Sequence, residues 1–157
     1  MQQRHSTTIA APATVVWDVL VAVLHWPELT DSITSVEPLD GPDPRVGARY
    51  RLKQPRMPTM LWRVIELNPG SDWSWEQRSR TGTTTARHAV EATGARSSQV
   101  HLSVRHVGIL RLLVGGLTRR QTARYLRQEA QGIRVESERR ASEGTAGPGP
   151  RHSRWIG

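Results

Sequence analysis

The sequence lacks cysteine and phenylalanine entirely, and it lacks long apolar runs. Without a thiol there is no disulfide, thiolate nucleophile, thiolate zinc site or iron–sulfur ligation. No stretch of about 18 apolar residues occurs, and the N-terminal segment has no signal-peptide apolar core. We therefore expect a cytoplasmic protein without a transmembrane segment. In place of phenylalanine, six tryptophans must supply most of the large aromatic contacts.

Common catalytic and metal-binding motifs are also missing. The one Gly-x-Gly, Gly147-Pro148-Gly149, contains a proline that disfavours a phosphate-binding loop, and no Gly-x-Ser-x-Gly elbow occurs. The carboxylates are scattered, and no Glu-x-x-His pattern lies on a predicted helix. His101 and His106 are an odd number of residues apart on one predicted strand, so their side chains point to opposite faces. We expect neither a cofactor nor a metal.

Lysine and arginine outnumber aspartate and glutamate, which gives a formal net charge of +8. Such a charge raises the question of an acidic partner such as nucleic acid or a lipid headgroup. The arginines, however, recur singly along the extended segments, as a solvated sheet face would present them. This pattern does not favour nucleic-acid binding. The arginines concerned are Arg49, Arg51, Arg63, Arg78, Arg87, Arg96 and Arg105.

Hydrophobic periodicity predicts an α+β domain. Residues 2–10 read as a strand, and apolar residues at helical spacing predict a helix over 13–24, followed by a short helix over 27–31. Turn residues then separate extended segments that we expect to pair as an antiparallel meander. These segments are 33–39, 47–54, 60–67, 73–80, 83–93 and 99–106.

The C-terminal part predicts one long helix and a tail. After Gly108, apolar residues from Ile109 to Ile133 recur at helical spacing. Two glycines within this stretch, Gly115 and Gly116, each cost a helix about 1 kcal/mol relative to alanine, so they indicate close approach to the sheet or a bend. We expect residues 2–140 to form one domain and residues 141–157 a disordered tail rich in Gly, Pro and Arg.

Local motifs resemble a known family. Residues 9–20 (IAAPATVVWDVL) and the following Trp26-Pro27-Glu28 resemble the opening of the polyketide cyclase/dehydrase branch of the START-like (SRPBCC) superfamily. Residues 46–50 (VGARY), 62–70 (WRVIELNPG) and 108–117 agree with it. The resemblance implies a helix-grip fold. In that fold a curved six- to seven-stranded antiparallel sheet wraps a long C-terminal helix, and two short helices follow the first strand.

The resemblance also implies a cavity between the sheet and the long helix, where relatives bind hydrophobic molecules. If the turn near Gly94 is a hairpin, His88 and His106 share the inner face within diagonal reach. We predict this pair as candidate catalytic acid and base, although both histidines also suit plain hydrogen-bonded strand positions. Candidate ligand-binding residues, each also compatible with a core position, are Tyr50, Trp62, Trp73, Trp75, Val90, Leu102, Val104, Leu113, Leu117 and Tyr125.

The resulting hypothesis is a protein that binds a hydrophobic small molecule, such as an aromatic polyketide, a quinone or a lipid-like compound. Its chemistry, if any, would be cyclisation or dehydration. The alternative is a non-catalytic interaction protein that meets an acidic partner with its basic surface. A third hypothesis is that the tryptophans fill the cavity, which a void well below about 300 Å³ would indicate. A homodimer is also compatible with the sequence.

Overall fold

The computed structural model describes residues 1–109 and 115–145, where seven strands and three α-helices form one α+β unit. The N-terminal strand β1 is followed by two short helices, a strand meander and a long C-terminal helix. The elements are β1 (Gln2–Ile9), α1 (Ala13–Val21), a 3-10 turn (Val23–His25), α2 (Trp26–Leu29), β2 (Ser35–Pro38), β3 (Arg49–Lys53), β4 (Met60–Asn68), β5 (Asp72–Ser79), β6 (Gly82–Gly94), β7 (Ser97–Gly108) and α3 (Gly115–Thr145).

The strands form one antiparallel sheet in the order β1-β7-β6-β5-β4-β3-β2. Consecutive strands from β2 to β7 pair with each other, and β1 closes the order by pairing with β7. Helix α3 packs against β1 and β7 and also contacts α1 and α2. This arrangement confirms the predicted helix-grip fold, including the meander and the short helices after the first strand.

The helices differ from their sequence-based boundaries. The short helix predicted over 27–31 begins at Trp26 and ends at Leu29, because Thr30 is extended. The predicted helix over 13–24 ends at Val21, because Ala22 takes a non-helical conformation (φ −79°, ψ 55°) and a 3-10 turn follows. Helix α3 continues to Thr145, beyond the expected domain end at Arg140. Ala141 packs against the core there, and Arg139 pairs with Glu143 one turn further on. Residues 146–157, most of the expected tail, lie outside the described residues.

The interior has two apolar clusters. One joins α1 and α3 to β1, β6 and β7 through aliphatic side chains such as Leu20, Leu102 and Leu126. The other lies under β3, β4 and β5 and is aromatic, with Tyr50 beside four tryptophans. Tryptophan therefore fills the core positions that the missing phenylalanine would otherwise occupy. These tryptophans are Trp26, Trp62, Trp73 and Trp75.

The outer face of the sheet carries the arginines, which are exposed as expected. Several of them are neutralised by neighbouring carboxylates. Arg49 pairs with Asp40 at 2.9 Å, and this contact lowers the pKa of Asp40 to about 2. Further pairs are Arg51–Glu37, Arg78–Glu76 and Arg87–Asp72. Within the described residues, no helix is long and apolar enough to cross a membrane.

Gly132 of α3 lies directly against Leu29 of the short helix α2, and this contact provides a stability test. A Cβ at Gly132 would overlap the carbonyl oxygen of Leu29 and lie 2.9 Å from its carbonyl carbon. We therefore expect Gly132→Ala to lower the free energy of unfolding by about 1–3 kcal/mol, despite the better helix propensity of alanine. In Gly144→Ala the new Cβ meets nothing within 4 Å, so this control should be neutral or stabilised. If urea unfolding found Gly132→Ala more stable than Gly144→Ala, the close contact between Gly132 and Leu29 would be contradicted.

Candidate functional site

A cavity of about 660 Å³ lies between the inner face of the sheet and α3. This volume falls within the usual range of about 300–1,000 Å³ for small-molecule sites, so the tryptophans do not fill the interior. Strands β3 to β7 supply the floor, and α3 supplies the roof. The apolar lining includes Leu52, Met57, Met60, Trp62, Trp75, Ala86, Val104 and Leu126.

Trp62 and Trp75 form the aromatic wall of the cavity. They lie on the neighbouring strands β4 and β5, with ring centroids 5.1 Å apart and an interplanar angle of 36°. Trp62 is 8% exposed, and its Nε1 has no hydrogen-bond partner among the described residues. Since an indole nitrogen only donates, the wall offers a buried donor beside a flat apolar surface.

His88 lies deep in the cavity, on strand β6. It is directly opposite Trp73 in the β5–β6 register and stacks on that indole with a centroid distance of 4.4 Å. Trp26 contacts the same imidazole edge-on. Burial among these rings lowers the pKa of His88 to about 3, so the imidazole is neutral at physiological pH. Its Nδ1 is buried without a hydrogen-bond partner among the described residues.

His106 also lines the cavity, but not beside His88. The register places His88 opposite Leu102 and His106 opposite Thr84. His106 therefore lies four residues further along β7 than Leu102, the residue opposite His88. At strand spacing this separates the two histidines by about 13 Å along the sheet. The expected diagonal contact between the two imidazoles is wrong for this reason. Instead, Nδ1 of His106 forms a 2.8 Å hydrogen bond with the hydroxyl of Thr84.

Glu129 on α3 also lines the cavity, and it was not among the site residues predicted from the sequence. Burial raises the pKa of Glu129 to about 7, and a hydrogen bond from the Ser32 hydroxyl opposes part of this rise. A carboxyl group in this state exchanges a proton near neutral pH. The signal was present in the sequence, since Glu129 lies in the apolar stripe of α3 between Leu126 and Ile133.

Tyr125 lines the roof, but its hydroxyl is already engaged. It donates to the carbonyl oxygen of Pro55 at 2.6 Å and accepts from Nε2 of Gln121 at 2.9 Å. The sequence left Tyr125 either as a ligand-binding residue or as a core residue, and because its hydroxyl proton is given to Pro55, this geometry does not favour donation to a ligand oxygen. The tyrosine joins α3 to the loop between β3 and β4.

The predicted site residues fall into three groups. Trp62, Trp75 and Val104 line the cavity with His88, His106 and Tyr125. Four further predicted residues are buried in the core and do not line the cavity: Tyr50, Trp73, Val90 and Leu102. Two predicted ligand-binding residues lie where no side chain is described: Leu113 and Leu117. No group of three or more potential metal ligands occurs among the described residues.

The contributions of His88 and Glu129 to the free energy of unfolding should depend on pH in opposite directions. The folded-state pKa of His88 is about 3, below its ordinary value of 6.5. Its contribution to the free energy of unfolding is therefore fully present above pH 6.5 and is lost as pH falls towards 3. The folded-state pKa of Glu129 is raised from 4.5 to about 7. Its contribution is fully present below pH 4.5 and is lost as pH rises through 7.

Urea unfolding from pH 4 to 8 measures these contributions as differences from the wild type. The stability advantage of wild type over His88→Gln should shrink as pH falls from 7 to 4. Its advantage over Glu129→Gln should shrink as pH rises from 4.5 to 8. A difference that stays flat across its window would show that the group titrates normally in the folded protein.

Comparison with known proteins supports the fold and gives the family. A family model described as polyketide cyclase / dehydrase and lipid transport matches residues 2–138, whereas no curated protein matches. The Zhui aromatase/cyclase from Streptomyces sp. R1128 has a TM-score of 0.73 at 22% identity, covering 89% of this chain and 94% of that one. A START superfamily protein from Mycobacterium smegmatis has a TM-score of 0.69 at 12% identity, covering 90% and 97%.

A third similar structure is the di-domain aromatase/cyclase BexL from the BE-7585A biosynthetic pathway. Its TM-score is 0.68 at 20% identity, and the match covers 88% of this chain and 46% of that one. At these identities the structural likenesses support the fold alone. The family model, in contrast, covers nearly the whole domain. The chain therefore belongs to the polyketide cyclase/dehydrase and lipid transport family.

Proposed function

We propose that the protein binds a hydrophobic aromatic small molecule, such as a polyketide or a quinone, in the cavity under α3. The observation that carries the proposal is the 660 Å³ cavity with Trp62 and Trp75 as one wall. A planar ligand gains stacking on these rings in addition to the burial of its apolar surface, at about 25 cal/mol per Å².

The polar atoms of the cavity favour a ligand that carries oxygen. Nε1 of Trp62 and Nε2 of His106 are both buried without a partner among the described residues. A carbonyl or phenol oxygen could accept from the indole, whereas a plain hydrocarbon chain would leave it unpaired. An aromatic ligand with a ketone or phenol oxygen would use both the indole surface and its buried donor, whereas a lipid-like chain would use only the apolar surface.

We propose proton transfer to such a ligand as the associated chemistry, with Glu129 as the acid and base. The pKa of Glu129 near 7 suits this role better than that of His88 near 3, because desolvation makes His88 a weak base. In a dehydration, the carboxylate would take the α-proton of a β-hydroxyketone. The resulting carboxylic acid would return that proton to the departing hydroxyl, so an enone and water form.

Filling the cavity tests the binding proposal. Ala86 on β6 lines the cavity and is 6% exposed. We expect Ala86→Leu to weaken binding of emodin, a hydroxyanthraquinone, at least ten-fold, because the added carbons occupy ligand space. Quenching of tryptophan fluorescence by emodin measures the affinity, since Trp62 and Trp75 would lie against it.

The matched control is the same change at Ala92, which is exposed on the same strand and is not a lining residue. Ala92→Leu should bind emodin as the wild type does. Wild-type protein that shows neither quenching nor a thermal shift with emodin and other quinones or polyketides would overturn the binding proposal. Equal weakening in both variants would place the ligand elsewhere.

Replacement of Glu129 tests the proton transfer separately from binding. Glu129→Gln keeps the size of the side chain but cannot exchange the proton, so we expect dehydration of an aromatic β-hydroxyketone to fall about 10²- to 10⁴-fold. Enone absorbance measures the rate, and emodin affinity measures whether the cavity is intact. Unchanged turnover by Glu129→Gln would exclude this carboxyl as the acid and base. The absence of turnover by wild-type protein that binds emodin would leave a binding protein without this activity.

A further inference from the structure

We infer that the hydroxyls of Thr30 and Ser32 form a proton path that connects Glu129 in the cavity with the outer surface of the protein. The path lets the Glu129 carboxyl exchange its proton with solvent while a ligand occupies the cavity. This inference rests on the proposed function, because it matters only where Glu129 transfers protons to a bound molecule. Thr30 and Ser32 are positioning residues that act through Glu129, since neither is among the described lining residues of the cavity.

Glu129 and Thr30 belong to two different concave regions of the protein. Glu129 lines the cavity between the sheet and α3. Thr30 lines an outer groove of about 590 Å³ between α2 and α3. Exposed charged side chains border this groove, so it is a surface that water reaches. They are Glu28, Asp31, Arg124 and Arg127.

Ser32 connects the cavity carboxyl to the groove. It is fully buried, with 0% exposure, and Thr30 is 8% exposed. The Ser32 hydroxyl donates to the Glu129 carboxyl, and the hydroxyl oxygens of Ser32 and Thr30 are 2.9 Å apart. A continuous chain of hydrogen-bonded oxygen groups therefore runs from the cavity to the groove.

The backbone after α2 fixes the two hydroxyls. Thr30 ends α2 in an extended conformation, and its N–H donates to the carbonyl oxygen of Trp26 at 3.0 Å. The N–H of Ser32 donates to Oγ1 of Thr30 at 3.2 Å. This bond uses one lone pair of the threonine oxygen and leaves the other lone pair and the hydroxyl proton available. The Thr30 hydroxyl can therefore either accept from Ser32 or donate to it without a change of backbone.

A chain of hydroxyls can run in either direction, because each hydroxyl both donates and accepts. With Glu129 ionised, Thr30 donates to Ser32, and Ser32 donates to the carboxylate. With Glu129 protonated, its O–H donates to Ser32, Ser32 donates to Thr30, and Thr30 donates to solvent in the groove. In passing from the second state to the first, each oxygen gives up one proton and receives another. The carboxyl thereby loses a proton, a groove water gains it, and neither hydroxyl keeps a charge.

A filled cavity is the condition under which this path matters. A ligand over Glu129 separates the carboxyl from water on the cavity side. The other buried titratable group there cannot replace that water, because the pKa of His88 is about 3 and its imidazole holds no exchangeable charge-carrying proton at neutral pH. The proposed dehydration itself returns the abstracted proton to the departing hydroxyl. We therefore expect the path to control exchange with solvent and not the dehydration.

Uptake of deuterium from solvent tests the path. The probe is α-tetralone, an aryl ketone that can be enolised but has no β-hydroxyl to lose. In deuterium oxide, the Glu129 carboxylate takes an α-proton and leaves an enolate. The carboxyl then exchanges that proton for a deuteron along the path, and the enolate takes the deuteron at carbon. Mass spectrometry of the recovered ketone measures uptake, and Glu129→Gln gives the background rate.

Thr30→Val interrupts the path at its outer end and leaves the bond from Ser32 to Glu129 in place. We expect deuterium uptake to fall roughly ten-fold or more, whereas dehydration of the aromatic β-hydroxyketone and emodin affinity stay near their wild-type values. Thr30→Ser is the matched control, because it keeps the hydroxyl and should retain wild-type uptake. Ser32→Ala removes the middle hydroxyl and should lose uptake as Thr30→Val does.

The remaining outcomes separate the path from the proposed function. Wild-type uptake in Thr30→Val or Ser32→Ala overturns the path and leaves the proposed function standing. Loss of uptake, dehydration and emodin binding together in Thr30→Val would show a purely structural role for the threonine, which also overturns the path. Wild-type protein that dehydrates the β-hydroxyketone without deuterium uptake from α-tetralone overturns the path alone. Wild-type protein that does neither overturns both the path and the proton transfer by Glu129.

Discussion

The contact between the stacked rings of Trp73 and His88 and the indole of Trp26 is the interaction on which the rest of the interior depends. It joins β5 and β6 to α2, with centroid distances of 4.4 to 5.9 Å. These rings fill one end of the space between the sheet and the helices and hold the layers apart. The cavity begins at this cluster, since His88 and the neighbouring Trp75 line it whereas Trp26 and Trp73 are packed behind them. In this protein, aromatic bulk supports the cavity instead of closing it.

The same aromatic surroundings decide which cavity group carries a proton. Burial disfavours the charged form of every ionisable group, so it lowers the pKa of the His88 imidazole and raises that of the Glu129 carboxyl. Both groups are then neutral near pH 5, between their two pKa values, and there the cavity contains a carboxylic acid and an imidazole without a buried net charge. The apolar lining and the acid–base character of the site therefore have one physical cause.

Local patterns in the sequence were sufficient to predict the fold and six of the cavity-lining residues, but not how those residues are arranged. The alternation of Val100, Leu102 and Val104 fixes which face of β7 is buried, and it needs no knowledge of the partner strand. The separation of His88 from His106 depends on the β6–β7 register, which the turn and the irregularity between Ala92 and Gly94 set. The bond from Tyr125 to Pro55 spans 70 residues, and no periodic pattern contains it.

The unpaired polar atoms of the cavity show what a ligand would add to this structure. Each buried donor or acceptor without a partner costs about 1–3 kcal/mol, and Trp62, His88 and His106 each carry one such atom among the described residues. Replacement by apolar side chains of similar volume would remove that cost, so packing alone does not explain these residues. A ligand with oxygen acceptors would recover part of the cost on binding. Its affinity would then come from the repair of buried polar groups in addition to contact with Trp62 and Trp75, and this repair would discriminate a ketone or phenol from a hydrocarbon of equal size.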